Sequence, residues 1–389
     1  LVMFYVMKHD YQYGMMITAS HNPAIYNGVK VFTYGGRDAD EKQTMEIEQF
    51  INEVTDLPVN EMDYQKALEA GLIEEIYPLN EYLDSIIAAV DMEAIREAGL
   101  RVALDPMYGV SETSIKTVLM TARCEVETIH ERHDTLFGGK LPAPTADTLR
   151  ALQNYVLDRK CDMGIATDGD ADRIGVIDEK GNFLHPNDIL VLLYYYLMKY
   201  KGWHGPAVRN IATTHLLDKV AAAFGEQCYE VPVGFKHISA KMLETNAVIG
   251  GESSGGLTVR GHIQGKDGIY SASLLVEMLA VTGKKLSEIF GEIVREYGCL
   301  VMAERDYRFS PQRKTEIVKL LMEDKKLPEF PCETLKVSYL DGCKVYFQNG
   351  GWIIARFSGT EPLIRIFCEM EDGAQAENIC DIMKAFLGL

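Results

Sequence analysis

MGIATDGDADRIGVID, residues 163–178, is the stretch from which the rest of the chain is best read. Met163 to Thr167 and Ile174 to Asp178 are short and apolar, as strands are. Between them lies Asp168-Gly169-Asp170-Ala171-Asp172-Arg173. Three carboxylates at alternate positions of one loop repel each other unless they converge on a hard cation such as Mg²⁺. A calcium EF-hand loop shares the D-x-D-x-D start and would find Glu179 at its twelfth position. It needs glycine at the sixth, where Arg173 stands, and helices on both flanks, where strands are expected. A solvated acidic turn remains the plain alternative. Upstream, Leu149, Leu152 and Val156 share a helical face, so a helix is expected over Ala146 to Arg159 with Thr145 as N-cap, leading into the strand at Met163.

The alternation continues outward. Strands are expected at Gly14 to Ala19 and Arg101 to Asp105, and helices at Thr44 to Glu53, Ser114 to Thr121, Ile189 to Tyr200 and Ile269 to Ala280. This is the pattern of α/β layers with mixed, largely parallel sheets. From Glu333 the character changes. Leu335 to Tyr339, Lys344 to Phe347, Trp352 to Phe357 and Leu363 to Glu369 read as antiparallel strands, with Asp341-Gly342 as hairpin chemistry and a closing helix over Ala374 to Phe386. A C-terminal α+β domain with an antiparallel sheet is predicted. The expected domains are 1–75, 76–185, 186–298 and 299–389, with Gly298 as a linker on which the last could turn.

A chain of 389 residues exceeds one ordinary core, which stops growing at roughly 250 to 300 residues. With 39 basic and 57 acidic side chains its net charge is −18, so most of its surface would repel nucleic acid or an anionic membrane. An anionic substrate therefore needs a locally basic pocket. The eight cysteines show no CxxC or metal spacing and read as reduced core thiols of a cytoplasmic protein. The apolar run Ile189 to Met198 is about half of what a bilayer span requires and is read as a core helix. No secretory signal is visible, and a first residue other than Met points to a fragment.

Three further motifs carry chemistry. Thr18-Ala19-Ser20-His21-Asn22-Pro23, continuing to Lys30, puts a serine at the end of an apolar strand before a turn-forming Asn-Pro, where a nucleophile could be presented. Alone it also reads as an ordinary polar turn. In Gly250-Gly251-Glu252-Ser253-Ser254-Gly255-Gly256 the glycines permit close backbone approach, while Glu252 and Ser254 offer groups for sugar hydroxyls. In Arg356-Phe357-Ser358-Gly359-Thr360-Glu361-Pro362, with Arg365 following, backbone N–H groups, hydroxyls and guanidinium suit a phosphate dianion, although Ser-Gly-Thr is also common turn composition.

In this order, with about one loop per domain, the four motifs resemble those of the α-D-phosphohexomutase family, the phosphoglucomutases and phosphomannomutases, over nearly the whole chain. The resemblance implies that Ser20 is the phosphorylated nucleophile and that Ser20, Asp168, Asp170 and Asp172 hold one Mg²⁺. It implies sugar or phosphate contacts from Arg173, Glu252, Ser254, Arg356, Ser358, Gly359, Thr360 and Arg365. Lys30 and Lys236, the latter in Val233-Gly234-Phe235-Lys236-His237, become candidates for proton transfer or phosphate contact. A solvated surface charge is the plain reading of each lysine. His21 and His262 rank as secondary contacts, structural in character.

The implied reaction exchanges phosphate between positions 1 and 6 of a hexose through a bisphosphate, with glucose 1,6-bisphosphate as activator. Phosphoryl transfer needs in-line alignment and charge neutralisation, which these residues offer. Glucose is the expected sugar, mannose or both the alternative, and Ala171 argues against a glucosamine phosphate because those relatives show glycine there. A non-catalytic sugar-phosphate binder would not need a phosphorylatable serine beside a metal. A two-metal serine hydrolase would need more ligands than the sequence offers. Only 19 residues precede Ser20, where the family carries most of a domain, so an N-terminally truncated first domain and poor activity are expected.

Overall fold

The computed structural model describes residues 1–54, 58, 61–358 and 363–389. The chain forms two compact units, residues 1–183 with 261–283, and residues 184–260 with 284–389.

The first unit begins with helix Val2–Lys8 lying on a three-stranded sheet, Tyr13–Ile17, Val29–Thr33 and Arg37–Asp38. This sheet is antiparallel throughout, with Met16 opposite Lys30. Its strands are joined by loops with no crossover helix between them, as antiparallel pairing allows. The register brings Lys30 back beside the serine loop that follows Ile17. Gly14 is required because a Cβ there would lie 2.6 Å from Val6 Cγ2. The next layer is a five-stranded sheet in the order Glu125–Thr128, Arg101–Asp105, Met163–Thr167, Ile174–Ile177 and Phe183–Leu184. Arg101–Asp105 is parallel to both neighbours, whereas Met163–Thr167 and Ile174–Ile177 are antiparallel, folded back across the acidic loop. Both strands of that pair are buried along their whole length.

Leu149, Leu152 and Val156 form the expected buried face. The helix, however, runs Arg150–Arg159, and Thr145 does not cap it. Thr145 and Thr148 instead exchange hydrogen bonds, and Thr148 Oγ1 donates to the Ala143 carbonyl, closing a turn that delays the helix.

The second unit holds a four-stranded mixed sheet ordered Cys228–Val231, Ala207–Asn210, Ile249–Gly251, Leu257–Val259, parallel except for the last pair. Helix Pro186–Lys199 is buried from Ile189 to Met198, as a core helix should be. A five-stranded antiparallel sheet follows, ordered Val301–Arg308, Leu363–Met370, Trp352–Phe357, Cys343–Phe347 and Thr334–Ser338, covered by helix Gly373–Leu387. Its first strand is charged and half exposed, which hid it from the hydrophobic pattern.

The two sheets of this unit meet at an apolar seam of Ile211, Ala212, Tyr346, Trp352, Ile354 and Phe367. Within it Lys344 is 0% exposed, bonded to Glu230 at 2.8 Å and to the Ile211 carbonyl at 2.6 Å, with Trp352 and Tyr346 rings over its ammonium. Glu230 also serves Arg209, which Asp218 grips with two bonds. Burial and the Arg209 charge pull Lys344 down to about 7, because one carboxylate is shared between two cations. Turning the last sheet about Gly298 would break these bonds, so the seam opposes that expected motion.

The cysteines are all free. Five are buried, but Cys299 is exposed, so the core reading holds for most and not for all. Among the described residues no helix is long and apolar enough to cross a membrane.

Candidate active site

Ser20 follows the strand Tyr13–Ile17 and adopts a left-handed backbone, φ 52°, uncommon for a residue with a side chain. Thr18 makes this possible: its hydroxyl accepts the Ser20 N–H at 2.9 Å and donates to Asp170 at 3.1 Å. The Ser20 hydroxyl then faces Asp168 at 3.3 Å and Asp170 at 3.2 Å. Two loops far apart in sequence therefore meet in one unit, serine against acid. The contact is flush. A Cβ on Gly169 would lie 2.8 Å from the Ser20 carbonyl oxygen, and one on Gly109 would lie 2.7 Å from the Gly169 carbonyl on the other side.

Asp168, Asp170 and Asp172 each offer an oxygen within 4.8 Å of the others. Asp168 is fully buried and accepts the N–H groups of Asp172 and Arg173, both at 3.0 Å. Burial, then the charges of Asp172 and Asp170, raise its carboxyl well above the usual range. Asp172 Oδ1 is buried without a hydrogen-bond partner. A strained trio of oxygen donors with one lone pair unmet fits a hard divalent cation.

The surrounding cations are close. Lys30 Nζ lies 2.8 Å from Asp170 and 3.0 Å from Asp172. Burial works against its charge, but Asp172 and Asp170 outweigh it and raise Lys30 above the ordinary lysine value. An ammonium so held is a charge and a donor, which suits the phosphate contact expected of Lys30 better than proton transfer. Arg173 Nε is 3.8 Å from Asp172 and 3.9 Å from Asp168, buried and without a hydrogen-bond partner. His21 Nδ1 is 3.5 Å from the Ser20 hydroxyl, at the limit of a bond. Burial, with Arg173 and Lys266 nearby, lowers His21 to about 4, leaving it neutral.

Lys266 was missed in the sequence. Its ammonium lies 2.8 Å from Asp172, on the same oxygen that Lys30 reaches. Gly265-Lys266-Asp267-Gly268 reads as a turn, and the available signal was Asp267, a good N-cap before the apolar helix at Ile269. His262 bonds Asp267 at 2.6 Å and does not touch the acidic loop in any described hydrogen bond.

In the second unit, Glu252 sits just after Ile249–Gly251 and accepts the Gly234 N–H and the Asn210 amide, both at 3.2 Å. Gly234 is left-handed, φ 124°, and opens helix Phe235–Thr245, which carries Lys236 in its first turn. Val233 donates to Asp341 at 2.9 Å, and the same carboxylate oxygen takes Arg356 Nε at 2.8 Å. Thus the glycine-rich loop with Glu252 and Ser254, the Lys236 loop and the strand end with Arg356 are tied by one chain of contacts. Arg365 pairs across the sheet with Arg356, and Ser358 closes the strand pair by donating its N–H to Leu363. Gly359 and Thr360 lie outside the described residues.

A serine held on a three-aspartate loop, with sugar- and phosphate-type loops on a second α/β unit and an antiparallel last sheet, defines a phosphohexomutase, an intramolecular phosphotransferase. Comparison with known proteins agrees. Residues 1–57, 80–181 and 185–297 match the phosphoglucomutase/phosphomannomutase alpha/beta/alpha domains I, II and III, and 317–385 match the C-terminal domain. The chain belongs to this family. It is 30% identical over 95% of its length to a phosphoglucomutase/phosphomannomutase of Thermococcus kodakarensis, covering 77% of that protein. It is 31% identical to a phosphoglucosamine/phosphogalactosamine mutase of Sulfurisphaera tokodaii, over 96% of this chain and 80% of the relative. The crystal structure of a proposed phosphomannomutase from Thermus thermophilus superposes with a TM-score of 0.84 at 29% identity, over 100% of this chain and 81% of the other.

Proposed function

We propose that the chain interconverts hexose 1-phosphate and hexose 6-phosphate, with glucose preferred, through phosphorylated Ser20 and a hexose bisphosphate. The observation that carries this is the Ser20 hydroxyl within 3.3 Å of both Asp168 and Asp170. In the first half-reaction the bond from phosphorus to Ser20 Oγ breaks and one to the free sugar hydroxyl forms; that hydroxyl's proton passes to a base and the departing Ser20 Oγ takes up a proton. In the second, Ser20 Oγ gives up its proton as it bonds the other phosphorus, and the sugar oxygen released from that phosphorus takes up a proton. Ser20, Asp168, Asp170 and Asp172 would hold Mg²⁺, which when bound supplies charge neutralisation on the phosphoryl oxygens. Lys30 and Arg173 add positive charge beside the transferred group. Lys236 is the proton acceptor in this reading, since Lys30 is committed to carboxylates.

The sugar and phosphate contacts fall to Glu252, Ser254, Arg356, Ser358, Gly359, Thr360 and Arg365. A hexosamine phosphate is the second reading, supported by the Sulfurisphaera relative's name and opposed by the Ala171 pattern. The test is transfer of radioactive phosphate from glucose 1,6-bisphosphate to the protein, with ³¹P NMR of glucose, mannose and glucosamine 1-phosphates incubated with Mg²⁺. Ser20→Ala should take no label and convert no sugar. Labelling that survives Ser20→Ala would overturn the assignment of the nucleophile, and faster conversion of glucosamine phosphate would favour the second reading.

A further inference from the structure

Behind the acidic loop, outside the residues assigned above, Asp267 gathers four donors while only 4% exposed. Tyr82 Oη lies 2.8 and 2.7 Å from its two oxygens, His262 Nε2 is 2.6 Å away, and the N–H groups of Ile269 and Tyr270 reach it at 2.9 and 3.0 Å. The two backbone donors are the usual work of an N-cap on helix Gly268–Thr282. Tyr82 and His262 are surplus to capping. Tyr82 comes from helix Leu79–Ala89, 185 residues away in sequence, and His262 is braced by the Tyr270 ring at 4.3 Å.

The neighbours of Asp267 explain the surplus. Its backbone is extended, φ −143° and ψ 100°, so successive side chains alternate. Asp267 points back to Tyr82 and His262. Lys266 and Gly268, on either side, both meet the acidic loop: Lys266 Nζ is 2.8 Å from Asp172, and the Gly268 N–H donates to the Ala171 carbonyl at 3.0 Å. A Cβ at 268 would lie 2.9 Å from the carbonyl oxygens of Ala171 and Arg173, so the helix end is seated directly on the loop. A carboxylate with its lone pairs saturated by fixed donors has one position, and it transmits that position to both neighbours.

We propose that Tyr82, Asp267 and His262 form a buried positioning triad that holds Lys266 on Asp172 and so fixes the charge and geometry of the metal loop. The proposal rests on the mutase reading for its kinetic readout but not for its binding readout. Tyr82→Phe removes one hydroxyl and leaves the cap intact. Acting through Lys266, it should lower kcat about tenfold with KM for hexose phosphate changed less than about twofold. Lys266→Met removes a cation that competes for Asp172, so it should tighten Mg²⁺ binding by calorimetry at least about threefold, with Tyr82→Phe shifting it the same way. The decisive measurement is the double variant. If Tyr82 works through Lys266, Tyr82→Phe changes neither kcat nor the Mg²⁺ Kd by more than about 1.5-fold in the Lys266→Met background. Equal effects in both backgrounds, or no shift of the Mg²⁺ Kd in either single variant, would overturn the triad. Should the wild type convert no hexose phosphate, the mutase reading fails alone, and the calorimetric cycle still decides the triad.

Discussion

Gly169→Ala would test whether the serine and acidic loops must touch as closely as they do. The φ of Gly169 lies outside the left-handed region, so alanine meets no backbone penalty there and the substitution is purely steric. Its methyl would stand 2.8 Å from the Ser20 carbonyl oxygen, against an ordinary contact of 3.4 Å or more, so the loops must part by about 0.6 Å. The Phe137 ring, at 3.4 and 3.5 Å, blocks escape sideways. Ser20 is already in a strained conformation, and its hydroxyl distances of 3.3 and 3.2 Å to Asp168 and Asp170 would lengthen. A misplacement of about 1 Å at a reacting centre can cost roughly a hundredfold in rate. A shift of this size should therefore lower kcat about tenfold. Stability should fall by a comparable amount, between about 0 and 2.6 kcal/mol. Overlap costs about 1–3 kcal/mol, offset by about 0.4–1 kcal/mol from the less flexible unfolded chain. The assay is steady-state conversion of glucose 1-phosphate alongside a thermal melt. A folded variant with kcat within twofold of wild type would show that the tight approach is packing alone and would refute the reasoning.

Other expectations follow from the charges. Asp168→Asn keeps an oxygen for the N–H groups of Asp172 and Arg173 while removing a buried charge. Because the folded carboxyl lies above its unfolded value, its ionisation costs stability as pH rises past about 4, so near neutral pH the asparagine variant should melt higher than wild type in EDTA. It should also lose the stabilisation that Mg²⁺ gives wild type; a lower melt in EDTA would contradict the account. In the second unit, burial and the Arg209 charge lower His215 to about 3, so the fold keeps it neutral while the unfolded chain protonates it near 6.5. Stability is thus lost as pH falls from about 6.5 towards 3, about 2 kcal/mol of it by pH 5. Glu230, held charged against burial by His215, Arg209 and Lys344, adds a loss in the same direction below about pH 4.5. Urea unfolding read by the fluorescence of Trp203 and Trp352 should show this, and His215→Gln should flatten it; equal midpoints at pH 5 and 7.5 in wild type would count against it.

The strands around the acidic loop were legible because apolar runs bracketed by Asp and Gly have few other uses, and Met163–Thr167 and Trp352–Phe357 fall where the pattern put them. The loop residues stood out for a different reason: three carboxylates at alternate positions mark Asp168, Asp170 and Asp172, whereas Ser20, alone an ordinary polar turn, was singled out by the resemblance of the four motifs together to the phosphohexomutase family. What was hidden is whatever depends on contacts at long range. Thr145 looked like a cap because a hydroxyl before a helical face usually is one, and only the geometry of Thr148 shows the bond spent elsewhere. Lys266 carries no local mark of function. Its role comes from an extended residue, a helix cap and a tyrosine 185 positions from Asp267, none of which a local window connects.

The charges around Ser20 bear on the proposed pairing of metal and phosphate. Three carboxylates face three cations, Lys30, Lys266 and Arg173, so the cluster is close to neutral without either guest. A phosphorylated serine adds about −1.5 to −2 at neutral pH. A dication adds the opposite amount. Either alone would leave a mostly buried pocket with about two uncompensated charges, at several kcal/mol in a medium of low dielectric, while both together restore balance. Arg173 has only loose contacts to lose, at 3.8 and 3.9 Å, and Asp172 has an oxygen with no hydrogen bond to break. Entering as a pair, the two guests keep the cluster near neutral, although a dication must still compete with Lys30 and Lys266 for Asp172, and each should bind more weakly when the other is absent.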